Sequence, residues 1–301
     1  MSVNLDPIAN SYGTFAILAM DQRGTLRSML DKAGRPSTAE ELSAFKVDVI
    51  GALSPLATGV LTDVEYGVDP VRAAGALAPG VGLLIASEHS PQPAWHGEQR
   101  TEYLADERGP AFVRANDGSA LKFLVRWRPD RPVRPGEPDL AREALDAVAA
   151  VVADCRGYGL PSVIEPLVAR LPGEPPLSPR QHAQLVIRSA ELLAQLEPDL
   201  LKLEWPGDAD GCREVSKVCG NVPWALLSAG VAYQDFVEQV LTAMDAGASG
   251  YIAGRSFWGE AVALTGADRR RFLATTAAER MARLNQAIEG HGRPWREVAG
   301  R

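Results

Sequence analysis

Lys202 lies in the apolar run DLLKLEWP, Glu165 in PSVIEPLV and Lys122 in ALKFLVRW, so three short β-type runs are each interrupted by an ionisable group. A lysine is nucleophilic only when its amine is neutral, and burial or a neighbouring cation disfavours the ammonium form. Lys122 is the candidate neighbour for Lys202. A neutral amine can attack a ketose carbonyl, lose water and leave an iminium ion, an electron sink for breaking the adjacent carbon–carbon bond. Each proton step needs a nearby acid or base, and Glu165 is placed for that work. Asp21 could hydrogen-bond the Lys122 ammonium or a bound hydroxyl. The competing readings are a snorkelling edge lysine at Lys202 and a structural ion-pair network without catalysis.

A second set of residues could hold an anion. Two later runs end in SAGV, with Ser228 and Gly230, and AGRS, with Gly254 and Arg255. Small residues there expose backbone N–H groups and an arginine adds charge; the plainer reading is two tight turns and a solvated arginine. In MDQRG, Gln22 and Arg23 could bind a distal anion or sugar hydroxyls, or Arg23 could simply pair with Asp63 or Glu65.

The elements that would position these residues alternate along the chain. TFAILAMD, TGVLTD, VGLLIASE, ALKFLVRW, PSVIEPLV, LLKLEW, PWALLSAG and SGYIAGRS read as strands, most of them followed by a longer segment of helical spacing. Near-continuous hydrophobicity is what parallel strands covered on both faces require. The pattern predicts an α/β fold, a (β/α)8 barrel with outer helices, as one domain over residues 1–301. Side chains late in each strand then converge on one mouth: Asp21, Asp63, Glu88, Glu165, Lys202, Glu204, Ser228 and Arg255, with Lys122 reaching up from below. Alternation puts Lys202 and Glu204 on one face and Leu201 and Leu203 on the other; Glu204 taken alone reads as structural.

Ser37 with Glu40 is the expected capping box before EELSAFKVDVIGAL, and Ser178 with Pro179 opens PRQHAQLVIRSAELLAQL. Residues 90–118 show no obvious helix and read as a lid or surface excursion, and ADRRRFLATTAAERMARLNQAIEG reads as a helix ending at Gly290.

Composition narrows the function classes. The net charge of −7 offers no general attraction to nucleic acid or an anionic membrane, so an anionic small molecule would need a local positive pocket. No apolar run approaches the roughly 18 residues of a membrane span, and the N-terminus lacks a basic-then-apolar leader, so a cytoplasmic protein is expected. Cys155, Cys212 and Cys219 show no CxxC spacing, and the four histidines show no HExxH, so neither a disulfide framework nor a metal site is expected, and no cofactor. Outer helices could build a homo-oligomer interface.

The motifs FAILAMDQRG, FKVDVIGALSP, ALKFLVRWRPD, VIEPLV, DLLKLEWP, PWALLSAGV and GASGYIAGRSFW, in that order, span nearly the whole chain. In them the chain resembles class I aldolases of the tagatose-1,6-bisphosphate aldolase group, including the sulfofructosephosphate aldolases. The resemblance implies a Schiff-base lysine at Lys202, a general acid/base at Glu165, supporting roles for Asp21 and Lys122, and phosphate contacts from Ser228, Gly230, Gly254 and Arg255. It also implies a phosphorylated ketose, dihydroxyacetone phosphate as the three-carbon product, and no metal. DVEYG looks like the tagatose-bisphosphate enzymes, whereas LVRWRPD and VPWALLSAGV look closer to the sulfofructosephosphate ones. The aldehyde half could carry a phosphate, a sulfonate or only hydroxyls; Arg23, Arg126 and Arg128, as spare cations, favour a phosphate or sulfonate, unless Arg126 points out of the mouth. A transaldolase using the same iminium and a non-catalytic barrel that senses sugar phosphates are the alternatives.

Overall fold

The computed structural model describes residues 3–300. Eight parallel strands close into a barrel: β1 (Phe15–Met20), β2 (Gly59–Asp63), β3 (Gly82–Ala86), β6 (Ala120–Trp127), β7 (Ser162–Val168), β8 (Leu200–Leu203), β9 (Trp224–Leu227) and β10 (Gly250–Ala253). A two-stranded hairpin, β4 (Ala94–Trp95) and β5 (Glu98–Gln99), stands outside it. Each barrel strand pairs with the next in sequence, and β10 returns to β1 with Phe15 opposite Gly250. The fold is a (β/α)8 barrel, and its eight strands are the eight apolar runs.

Period-2 alternation sorts the strand residues into two cores. Phe15, Ile17, Ala19, Leu61, Leu84, Ala86, Ala120, Val163, Leu200, Ala225 and Ile252 fill the interior, while Leu18, Ile85, Phe123, Ile164, Leu201 and Leu203 pack under the helices. Leu5, Ile8 and Trp295 join the interior cluster and plug its N-terminal end. One step of two residues beyond the interior layer lie Asp21, Glu88, Lys122, Glu165 and Lys202. The barrel thus turns a sequence offset into a polar floor at its C-terminal mouth.

Helix signals fared unevenly. Ser178 and Gln181 form a reciprocal capping box with Pro179 behind it. The cap of helix Ala39–Leu53 is Thr38, whose side chain accepts from Glu41 N at 3.3 Å, one residue later than the expected Ser37 and Glu40; the Ser37 carbonyl is instead taken by the Arg27 guanidinium. The C-terminal helical segment is divided into Gly266–Phe272 and Ala278–Ala287 by a π-turn over Leu273–Ala277. Residues 90–118 are not without helix: they hold Ala105–Arg108 and Pro110–Ala115, turns too short for periodicity to show. Ion pairs clamp this excursion, with Arg131 on Glu98 at 2.8 Å and Arg100 on Glu143 at 2.7 Å.

Candidate active site

Strand order brings the four residues expected at the centre into direct contact. Lys202 Nζ lies 2.9 Å from Glu165 Oε1, and the other carboxylate oxygen of Glu165 is 2.9 Å from Lys122 Nζ. Lys122 also donates to Asp21 Oδ2 at 2.9 Å and Glu88 Oε1 at 3.2 Å. All five side chains are buried. The β6–β7 register, Lys122 opposite Val163 and Leu124 opposite Glu165, and the β8–β9 register, Lys202 opposite Ala225, set these heights.

Glu88 stood among the late-strand carboxylates without a role of its own. It ties the floor together by accepting from Lys122 and Arg23 and, through Oε2, from Leu124 N at 3.1 Å.

Charge compensation in this cluster is strong enough to reverse the effect of burial. Desolvation alone would push the Lys122 ammonium down, but Asp21, Glu165 and Glu88 hold it well above the usual lysine range. Desolvation would likewise raise the Asp21 and Glu165 carboxyls; Lys122, and after it Lys202, keep both below the ordinary carboxylate range. Lys122 is therefore a fixed cation, and Glu165 an ionised carboxylate touching both amines. This arrangement can hold a nucleophilic amine beside a proton acceptor in a water-poor site.

At the mouth, Ser228 is buried, and Ala229 and Gly230 follow it with φ of +48° and +86°. A Cβ on Gly230 would lie 3.2 Å from Arg255 Cζ, so the guanidinium packs directly on this glycine. Burial lowers the Arg255 pKa, while Glu165 and Asp21 pull it back up. Among the described residues Arg255 has no ion-pair partner. Gly254 admits no side chain, since a Cβ would fall 1.9 Å from Ala19 O and 2.6 Å from Trp258 Nε1. The structure thus gathers Ser228, Gly230, Gly254 and Arg255 on one side of the mouth.

Gln22 and Arg23 are placed differently from a free anion clamp. Gln22 Nε2 donates to Asp21 Oδ1 at 3.3 Å, and its buried Oε1 has no partner among the described residues. Arg23 is held by Glu65 at 3.1 Å and Glu88 at 2.5 Å, while Asp63 pairs with Lys46. Arg128 is likewise taken by Glu174 and Asp130. Of the three cations expected to be spare, two are engaged, and Arg126 is exposed. Glu204 accepts from Val168 N at 2.7 Å and faces His182 at 3.3 Å, bracing β7 and β8 from outside the centre.

Two residues escaped the sequence reading. Arg108, from the 90–118 excursion, reaches Glu65 Oε1 at 2.8 Å and Glu88 O at 3.2 Å, joining the same carboxylates as Arg23. Nothing local marks it. Lys46 did leave a signal, because it falls on the buried stripe Leu42, Phe45, Val49, Ile50 and Leu53 of its helix, where a lysine has no water.

Residues 15–260 match the family described as DeoC/LacD family aldolase. The chain belongs to this family. A tagatose 1,6-diphosphate aldolase of Listeria monocytogenes serotype 4a (strain HCC23) is 26% identical to this DeoC/LacD chain, over 97% of it and 92% of the relative. Among solved structures, a Schiff-base-forming fructose-1,6-bisphosphate aldolase superposes with a TM-score of 0.61 at 17% identity, covering 93% of this chain and 96% of that one. The fructose-bisphosphate aldolase of Slackia heliotrinireducens DSM 20476 gives 0.62 at 16%, covering 96% and 92%. At these identities the structures speak for the barrel, and membership of the DeoC/LacD family makes the chain an aldolase, a lyase of carbon–carbon bonds.

Proposed function

We propose that this aldolase works through a Schiff base on Lys202, cleaving a phosphorylated ketose reversibly to dihydroxyacetone phosphate and an aldehyde without a metal ion. The observation that carries the reading is the contact of Lys202 Nζ with Glu165 Oε1 at 2.9 Å, in a buried site where Lys122 holds Glu165 ionised. Glu165 takes a proton from the Lys202 ammonium it touches, the freed amine adds to C2 of the ketose as its second proton passes to the carbonyl oxygen, and the carbinolamine loses water as Glu165 returns its proton to the departing hydroxyl. A base then takes the C4 hydroxyl proton. The C3–C4 electrons move into the iminium, the aldehyde leaves, and an enamine remains. Protonation at C3 and addition of water release dihydroxyacetone phosphate and restore the amine. Lys122, hydrogen-bonded to Asp21 and Glu88 and ion-paired with Glu165, keeps the carboxylates apart and oriented.

The unpaired Arg255, packed on Gly230, and the left-handed turn at Ala229 and Gly230 supply a cation and turned backbone for the 1-phosphate. The printed name of the Listeria relative makes tagatose 1,6-bisphosphate the first substrate to try, with fructose 1,6-bisphosphate and sulfofructose 1-phosphate beside it.

Incubation with dihydroxyacetone phosphate and borohydride, followed by peptide mapping, tests the chemistry. A reduced adduct on Lys202, absent from Lys202→Met, is expected. Absence of any adduct on the wild type, where a known Schiff-base aldolase is labelled, would overturn the reading.

A further inference from the structure

Lys46 is fully buried and distant in sequence from every residue assigned above; its ammonium hydrogen-bonds two backbone carbonyls and ion-pairs with one carboxylate. Nζ lies 2.7 Å from Met20 O, 2.8 Å from Gln22 O and 2.6 Å from Asp63 Oδ2. Both hydrogen bonds of the ammonium go to backbone carbonyls, while Asp63 balances its charge. Met20 and Gln22 flank Asp21, so one cation holds the peptide carbonyls on both sides of that residue. Asp21 stands where the β-ladder has run out, since the last β1–β2 pair is Met20 with Thr62. Within that pair Thr62 Oγ1 also donates to Met20 O at 3.3 Å, and Lys46 holds the carbonyls of both residues that flank Asp21.

Stability does not explain why a lysine occupies this place. Burial pulls Lys46 below the usual lysine range and Asp63 above the usual carboxylate range, despite their mutual attraction. A buried pair of this kind is commonly no more stabilising than apolar residues of similar volume. An apolar side chain at position 46 could not orient two carbonyls, whereas the ammonium does.

We infer that Lys46 is a positioning residue: by gripping Met20 O and Gln22 O it aims the Asp21 carboxylate at Lys122 and so keeps the Lys122–Glu165 cluster in its reactive geometry. The inference rests on the Schiff-base reading. Its effect passes through Asp21, and Lys46 itself touches no substrate.

The test uses the full chain and dihydroxyacetone phosphate alone, following deuterium incorporation at C3 in deuterium oxide, which reports iminium and enamine formation. Lys46→Met combined with Asp63→Asn avoids leaving a buried unpaired carboxylate. This double variant is expected to remain folded and to lose about 100-fold in exchange rate while half-saturation by dihydroxyacetone phosphate shifts less than about threefold. Asp63→Asn alone leaves both carbonyl bonds in place and is expected to retain exchange within about threefold. Adding Asp21→Asn to the double variant should cost little beyond Asp21→Asn by itself, because both changes remove one effect. Exchange near wild type in the folded double variant, an equal loss in Asp63→Asn alone, or multiplicative losses with Asp21→Asn would each overturn the role of Lys46. A wild type that neither exchanges nor forms a borohydride adduct would instead remove the Schiff-base reading beneath it.

Discussion

At the residue scale, the centre is a charge lattice in which Lys122 has a different part from Lys202. Lys122 touches three carboxylates and Lys202 one, so removing Lys122 takes from Asp21 its ion-pair partner among the described residues and leaves Glu88 on Arg23 and Glu165 on Lys202 with one cation each. Breaking a buried network from one side costs about 3–5 kcal/mol, and Lys122→Met should lower the unfolding midpoint accordingly. The pH dependence should also change in a definite direction. Asp21 and Glu165 are held below their ordinary values of 3.8 and 4.5, so their contribution to stability is complete above those values and lost as pH falls through the folded ones. Without Lys122 the charge that most opposes burial is gone while Lys202 remains, so both carboxyls should titrate higher and Lys122→Met should lose less stability than the wild type as the solution is acidified. Thermal midpoints from pH 4 to 8 check this; a variant with the wild-type profile would refute it. The inward positions of Lys122 and Glu165 and the contact of Asp21 with Lys122 were legible from strand alternation, whereas Glu165 standing between Lys122 and Lys202 was not. The third carboxylate, Glu88, needed the neighbouring β3 to be seen beside β6.

At the element scale, the strands were readable because each is an apolar run buried on both faces, while the 90–118 excursion was not. Its helices are four and six residues long, below a useful helical period, and its hold on the barrel is made by long side chains to distant partners. The same limit moved a helix cap from Ser37 to Thr38, where neighbouring hydroxyl residues satisfy one local rule and the Arg27 contact separates them. Arg108 joins the excursion to Glu65 beside Arg23, and Ser87 Oγ donates to the Arg108 carbonyl. Arg108→Ala should therefore open this segment: cleavage within residues 90–118 by trypsin should accelerate several-fold while the global melting temperature moves little. Unchanged cleavage would mean that the remaining clamps, Arg100 with Glu143 and Arg131 with Glu98, suffice.

At the scale of the whole molecule, the two ends of the barrel divide stability from chemistry. Trp295 closes the N-terminal end with Leu5 and Ile8, whereas the ionisable residues sit at the opposite mouth. Trp295→Ala should cost about 3–5 kcal/mol of folding stability yet leave the borohydride-labelling rate at Lys202 unchanged at a temperature where the variant is folded. A matching loss of labelling would show that the two ends are coupled. Among the described residues no helix is long and apolar enough to cross a membrane.

By itself, the sequence determined the barrel and the inward positions of Lys122, Glu165 and Lys202, because burial and a period of two are local properties that each strand carries in its own residues. Which cation meets which carboxylate was decided by the tertiary structure. Arg23 could bind an anion or pair with Asp63 or Glu65, and Glu65 holds it together with Glu88, while Asp63 belongs to Lys46; Arg108 arrives from an excursion with no local mark. Ion pairs form across chain separations that residue types do not encode, and long side chains with several staggered conformations choose partners only when barrel closure sets the distances between strand ends.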